Sequence, residues 1–498
     1  MSIRIALDAP PQFYTNLDFI SGRVLLQLQR PETIGNVIVK LEGESRTALS
    51  VPIGERDSDF NTGGNIASEN HKILYRVFQV YPDDGVALTF QPGQHEFKFN
   101  FKVPLNNICH DSGAMGALMG IAGPGTPGLL GMGGFRTMDG TKQLMLQHVK
   151  ATLPPSLTGF PQEAEIRYYI KVTIQRPGIF KENWRYQLGF KFLPVEPPRP
   201  AVTKQEAFAR RPFTFKPRAP APSRKSIFGS KSTVNLGNDA GQTIPSIEMS
   251  ARIPHPTILT CNEPLPLRLI AKKLAPANEK IYLTSLEISL VGYTQVRVQN
   301  LSNTERTVWI ITSAPNLSIE LGKPTDAANT EFEVPNSLWA ATRLPNTISP
   351  SFRICNLQRK YEVELKLTLS WGLPGKGSVP QMIHLPLKLS NVDVYSGIKP
   401  PAELVQSMAN RPPRPPPRPS ATQSAPALQR PPQPSDPLYP PQLGPGNMPG
   451  QNDAPPPSYD EAMADQLVGP SAQERPAYSG VTSENSPSTM PPEKSGLH

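Results

Sequence analysis

The sequence predicts an all-β chain: two tandem β-sandwich domains followed by a disordered, proline-rich C-terminal tail. Apolar and polar residues alternate with a period of two across residues 3–192 and about 247–396, and no helical period of any length interrupts them. Prolines, 60 in a chain of 498 residues, crowd between these stretches and after the second, in sequence too poor in apolar residues to order itself. The expected division is 1–196 for the first sandwich, 197–246 for a disordered linker, 247–398 for the second sandwich and 399–498 for the tail.

In the first stretch, Val24, Leu26 and Leu28 alternate with Arg23, Leu25 and Gln27, and Val37, Val39 and Leu41 share a face opposite Lys40 and Glu42. Phe97, Phe99, Phe101 and Val103 alternate strictly with Lys98, Asn100 and Lys102. Ile166, Tyr168, Ile170, Val172 and Ile174 repeat the pattern. One apolar face per strand is what an antiparallel sheet needs to cover a core. Residues 113–135 break the rhythm: they carry no charge and are rich in Gly, Met and Leu. Their glycines, with Pro124 and Pro127, argue against a membrane-spanning helix, so an inserted loop is expected. The sharper alternative is a loop that touches lipid or a partner through Met119, Leu129 and Leu130.

After Phe192 the chain turns to low-complexity sequence with Arg210-Arg211, Lys216 and Arg224-Lys225 beside Ser226, a candidate phosphorylation site. Alternation returns with Leu286, Ile288 and Leu290, then Tyr361 through Trp371, then Ile383 through Leu389.

Composition excludes several roles. The net charge of +9 favours a mild attraction to acidic surfaces and allows peripheral membrane association, but the basic residues are scattered and a solvated surface is the better reading of the charge. There is no Lys/Arg block and no aromatic-basic signature, and no nucleic-acid partner is expected. Three cysteines, Cys109, Cys261 and Cys355, are too few and too scattered for a disulfide framework. With no signal peptide or myristoylation glycine after Met1, a cytoplasmic chain is expected. There is no CxxC and no His pair at metal spacing, Cys109-His110 are neighbours only in sequence, and the glycines at 113–134 lack a P-loop ending. No catalytic residues, no cofactor and no metal are expected, and an enzyme ranks last among the function classes.

The motif with chemistry is Pro455-Pro456-Pro457-Ser458-Tyr459-Asp460-Glu461. Pro456, Pro457 and Tyr459 form a PPxY, the peptide taken by WW domains. Consecutive prolines hold the polyproline II conformation and lose little entropy on docking into an aromatic-lined groove. Tyr459 falls on the same side of a three-residue turn and fills the neighbouring pocket. Asp460 and Glu461 suit the start of a short helix. Asp436-Pro437-Leu438-Tyr439 and Arg475-Pro476-Ala477-Tyr478 each lack the first proline and read as weak copies able to add avidity. Pro413, Pro416 and Arg418 have the spacing of an SH3 ligand, a weak signal in so proline-rich a tail.

Gly22-Arg-Val-Leu-Leu-Gln-Leu28 and Ile38-Val-Lys-Leu-Glu-Gly43-Glu-Ser-Arg-Thr47 resemble the G-x-V-x-L and L-x-G-x-S-x-T stations of the arrestin N-terminal domain. The Phe97–Pro104, Leu153–Leu157 and Ile166–Val172 stations follow in the family's order, with Leu157 where Phe is usual. Pro264–Leu269 and Ile281–Thr294 are similar to the C-terminal arrestin domain. Arrestin-like domains with a PPxY tail resemble the α-arrestins, here of fungal type. The resemblance implies two arrestin-like β-sandwiches and an adaptor role. The body would bind cytoplasmic segments of membrane transporters or receptors at the plasma membrane or endosomes. The tail would recruit a WW-domain HECT ubiquitin ligase, and the cargo would be ubiquitinated and endocytosed. The alternative is an arrestin-fold scaffold that binds a membrane sensor, as in ambient-pH signalling. About 60 residues separate the second domain from Tyr459, and as a coil they would span on the order of 40 Å.

Overall fold

The computed structural model describes residues 1–51, 66–81, 87–108, 148–158, 163–178, 181–217, 244–276, 279–372, 380–409, 459–470, 475 and 476. The inserted loop at 113–135, Ser226, Cys109 and the proposed SH3 ligand Pro413, Pro416 and Arg418 lie outside them.

The described chain is nearly all strand and folds as two β-sandwiches. The first contains β1 (Ser2–Leu7), β2 (Phe19–Leu28), β3 (Glu32–Ile34), β4 (Asn36–Ser50), β5 (Ile66–Tyr81), β6 (Leu88–Phe90), β7 (Gly93–Lys102), β8 (Ala164–Gln175) and β9 (Trp184–Phe190). One layer has the order β1-β2-β7 and the other β5-β4-β8-β9, with β3-β6 as a separate ribbon. Phe97, Phe99 and Phe101 are buried while Lys98 and Asn100 are exposed, as the period-two pattern requires. They pack with Val24, Leu26, Val39, Leu41 and the buried row of β8 in one cluster. Each such side chain contributes about 1.5–3 kcal/mol through burial.

The second sandwich contains β10 (Glu206–Thr214), β11 (Ser246–Pro254), β12 (Ile258–Thr260), β13 (Arg268–Lys273), β14 (Ile281–Val298), β15 (Leu301–Ala314), β16 (Ile319–Glu320), β17 (Glu331–Glu333), β18 (Phe352–Arg353), β19 (Leu357–Trp371) and β20 (Gln381–Tyr395). Its layers are β10-β11-β13-β17 and β12-β20-β19-β14-β15, with β16 and β18 on the flanks. The long hairpin of β14 and β15 and the pairing of β14 with β19 carry its larger sheet.

Two expectations are corrected. The stretch 197–246, expected to be a disordered linker, supplies β10, whose nine residues pair with β11 from Glu206↔Pro254 to Thr214↔Ser246. It is an edge strand, so Pro212 costs no ladder bond on its open side and its arginines face water. The tail, expected to be disordered from 399 onward apart from a short helix opening at Asp460 and Glu461, forms α1 (Ala402–Ala409) as well as that helix, α2 (Tyr459–Gln466). Both helices find apolar cover, which the composition of the tail as a whole conceals.

The sandwiches share a seam. Val296, Val298, Ile354, Cys355 and Leu357 of the second join the core cluster of the first. Ser45 Oγ donates to Asn356 Oδ1 at 2.8 Å, Asn356 Nδ2 donates to Thr47 Oγ1 at 3.1 Å, and Thr47 Oγ1 donates to the Arg297 carbonyl at 2.8 Å. Buried polar groups satisfied across the seam fix the register of the two domains. No described helix is long and apolar enough to cross a membrane.

Candidate functional site where the tail meets the first sandwich

The PPxY motif leads straight into a docked helix. Tyr459 is the first residue of α2, the short helix suggested by Asp460 and Glu461; Pro456 and Pro457 lie outside the described residues. The side of α2 that includes Ala464, together with Leu467 beyond it, closes on a small cluster of Phe13, Leu17, Leu105, Leu193 and Val195 with Ile398 and Leu404. Leu404 comes from α1, so the two tail helices and the first sandwich share one apolar patch.

Polar contacts fix the C-terminal end of α2. Lys102 Nζ donates to the carbonyls of Ala464 at 2.9 Å and Asp465 at 2.6 Å. These are last-turn carbonyls, of which that of Ala464 also accepts the Leu467 N–H at 3.3 Å, and a cation there meets the negative end of the helix dipole. The chain then passes so close to the body that a Cβ on Gly469 would lie 2.6 Å from Asp18 Oδ1. Gly469 N–H donates to the Leu17 carbonyl at 3.2 Å.

Arg475 closes the contact. Its Nη2 donates to Asp18 Oδ1 at 2.6 Å and to the Pro470 carbonyl at 3.1 Å, its Nη1 to the Phe13 carbonyl at 3.0 Å, and its guanidinium lies over the Phe13 ring. Asp18 is nearly buried and also accepts the Thr15 N–H at 2.8 Å. Burial pushes the Asp18 carboxyl up from its ordinary value; the Thr15 hydrogen bond and Arg475 pull it back only in part. Burial and the Asp18 charge together push Tyr14 up to about 12.

The platform is the loop Phe13–Asp18. Asn16 ties it down: its Nδ2 donates to the Pro104 and Leu105 carbonyls at 3.0 and 2.9 Å, and its Oδ1 accepts the Val195 N–H at 3.0 Å. Leu17 takes φ +69°, a backbone conformation uncommon for a residue with a Cβ, and its carbonyl is the group that receives Gly469. The site binds peptide backbone and one guanidinium.

Asp18, Lys102 and Arg475 were not among the sequence-predicted site residues. Arg475 drew notice only as the head of a weak PPxY copy, and in the structure its side chain is an anchor. An Asp in a long apolar-flanked loop and an Arg in a tail are unremarkable alone; only their 2.6 Å approach across the chain makes the pair.

Residues 3–119 match the family model described as arrestin (or S-antigen), N-terminal domain. No curated protein matches the chain. The match and the two all-β sandwiches together support an arrestin-like fold.

Proposed function

We propose that the chain is an adaptor of the α-arrestin kind. Its body binds cytoplasmic segments of membrane transporters or receptors, and Pro456, Pro457 and Tyr459 recruit a WW-domain HECT ubiquitin ligase that tags them for endocytosis. The arrestin N-terminal match supports the adaptor role. The observation that carries the ligase reading is the continuity of motif and anchor. The PPxY runs into α2, and α2 is held by Lys102 at its far end. A ligase on Tyr459 would therefore sit beside the first sandwich, close to any cargo bound by the body, and not at the end of a free tether. A single WW contact in the micromolar range is worth about 8 kcal/mol, so recruitment is reversible.

The test is capture of the full chain on isolated WW domains. Tyr459→Ala is expected to lower binding at least about tenfold, a loss of about 1.4 kcal/mol or more. Undiminished capture of that variant would overturn the ligase reading.

A further inference from the structure

At the seam between the sandwiches the fold assembles three metal-type side chains that stand far apart in sequence. They are His71 of β5, His148 where the chain re-enters the described first sandwich, and Cys355 in the turn before β19. One ligand atom from each lies within 4.8 Å of the others. The two imidazoles meet edge to face at 5.2 Å between centroids, and His148 Nδ1 is 3.9 Å from Cys355 Sγ. No pair among them has ligand spacing along the chain, which is why the sequence points to no metal.

The surroundings are those of a built site. His71 is fully buried, and its Nε2 contacts Glu69 Oε1 at 2.5 Å. The other Glu69 oxygen accepts the Gln299 N–H at 2.7 Å, and Arg297 Nη2 stands 3.5 Å from Oε1. The carboxylate is thus fixed from the second sandwich and in turn fixes the ring. That arrangement leaves Nδ1 as the free donor of His71, and Nδ1 is buried with no hydrogen-bond partner. A carboxylate behind a histidine, orienting its remaining nitrogen, is how proteins prepare imidazole for a metal.

The thiol is prepared as well. Val149 N–H donates to Cys355 Sγ at 3.3 Å, and Sγ lies 3.9 Å from the Val149 carbonyl, so the residue after His148 holds the sulfur in place. The turn that carries Cys355 is held by Arg297 Nη2 on the Cys355 carbonyl at 2.6 Å and by Asn356 on Ser45 and Thr47. Two imidazoles and one thiolate suit zinc, with bonds of about 2.0–2.3 Å and a fourth position for water. His148 is the half-buried member of the three.

We propose that His71, His148 and Cys355 bind one zinc ion that pins the two sandwiches together at their seam. The role is structural: the ion joins β5 of the first domain to the Cys355 turn of the second. It is independent of the ligase reading, since neither Tyr459 nor the α2 anchor takes part.

The experiment uses the untagged full chain. Zinc content after purification without chelator is expected to be one equivalent. Chelation is expected to lower the thermal midpoint, and zinc to restore it. Cobalt(II) added to the stripped chain is expected to give a thiolate-to-cobalt charge-transfer band at one equivalent. Cys355→Ser abolishes the band, His148→Gln weakens zinc binding at least about tenfold, and Glu69→Gln weakens it about 10–100-fold. His148→Gln alters the most exposed ligand and keeps the test valid if Cys355→Ser does not fold. A chain without zinc and indifferent to chelator overturns the proposal, and so does a cobalt band that persists in Cys355→Ser.

Discussion

In the first sandwich Gly43 of β4 faces Tyr168 of β8; in the second, Gly292 of β14 faces Tyr361 of β19. The two sites are built alike. A Cβ on Gly43 would lie 2.8 Å from the Tyr168 ring, and one on Gly292 would lie 3.0 Å from the Tyr361 ring. Each tyrosine hydroxyl donates to a backbone carbonyl of a crossing loop, Pro154 or Ser349. The charges around them differ. Glu42 and Glu44 flank Gly43 on the opposite face of β4, where Lys72 contacts both carboxylates, Arg167 Nη2 donates to Glu44 at 2.9 Å and Tyr169 donates to both. The second sandwich instead buries Arg359, which donates to Thr294 and Tyr361 and lies 5.1 Å over Trp309. The shared glycine-tyrosine pair lets strands approach closely; the charged groups decide what each domain loses when altered.

The largest expected difference follows from that contrast. Lys72→Met strands the nearly buried Glu42 and leaves Glu44 to Arg46 and Arg167 alone, and breaking a buried ion pair from one side costs about 3–5 kcal/mol. Arg359→Met removes a cation that donates to the Thr294 and Tyr361 hydroxyls and lies over Trp309, and losing those hydrogen bonds costs nearer about 1–3 kcal/mol. Denaturant unfolding of both variants measures the gap, and equal losses would contradict the assignment of the first site as ionic.

Next in size are the glycines themselves. Gly43→Ala and Gly292→Ala are each expected to cost about 1–3 kcal/mol from overpacking. Gly43→Ala should be the worse. Its Cβ meets the Leu74 Cβ at 2.9 Å as well as the Tyr168 ring, neither of which can swing aside. At Gly292 only the Trp309 ring comes under 3.0 Å, at 2.8 Å; the Tyr361 ring is at 3.0 Å and Arg359 Nε, on a long side chain, at 3.1 Å. A reversed order in thermal midpoints would show that Arg359 is the more rigid partner.

Much of this fold was legible because the strands are half-buried. Phe97–Val103 and Tyr361–Trp371 alternate cleanly, and the period of two names both the strand and its buried face. β10 was not legible: Arg210-Arg211-Pro212 reads as low complexity, and an edge strand buries too little to leave a pattern. The PPxY could be read as a motif because its four residues are contiguous in the sequence. Its anchor could not, since Lys102, Asp18 and Arg475 meet only through the fold. The same holds for His71, His148 and Cys355, whose proximity is created by the seam between domains.

The smallest effect is a pH dependence that should belong to the first sandwich alone. Burial by itself pushes Glu44 up, but the Lys72 and Arg46 charges, with hydrogen bonds from Lys72 and Tyr169, outweigh it and hold the carboxyl well below its ordinary 4.5. A carboxylate depressed by folding stabilises above its unfolded pKa, and that stability is lost as pH falls toward the folded value. Between about pH 5 and 2 the slope contributed by one such proton is at most about 1.4 kcal/mol per pH unit. Hydrogen exchange in β4 and β8 should therefore accelerate with acid more than in β14 and β19, where the buried charges are Arg359 and a Glu364 paired with the exposed Arg306 and Lys388. Glu44→Gln should remove most of the excess slope while lowering stability at neutral pH. If β14 and β19 loosen in step with β4 and β8 and Glu44→Gln changes neither, the acid response is global and the buried charge cluster is not its source.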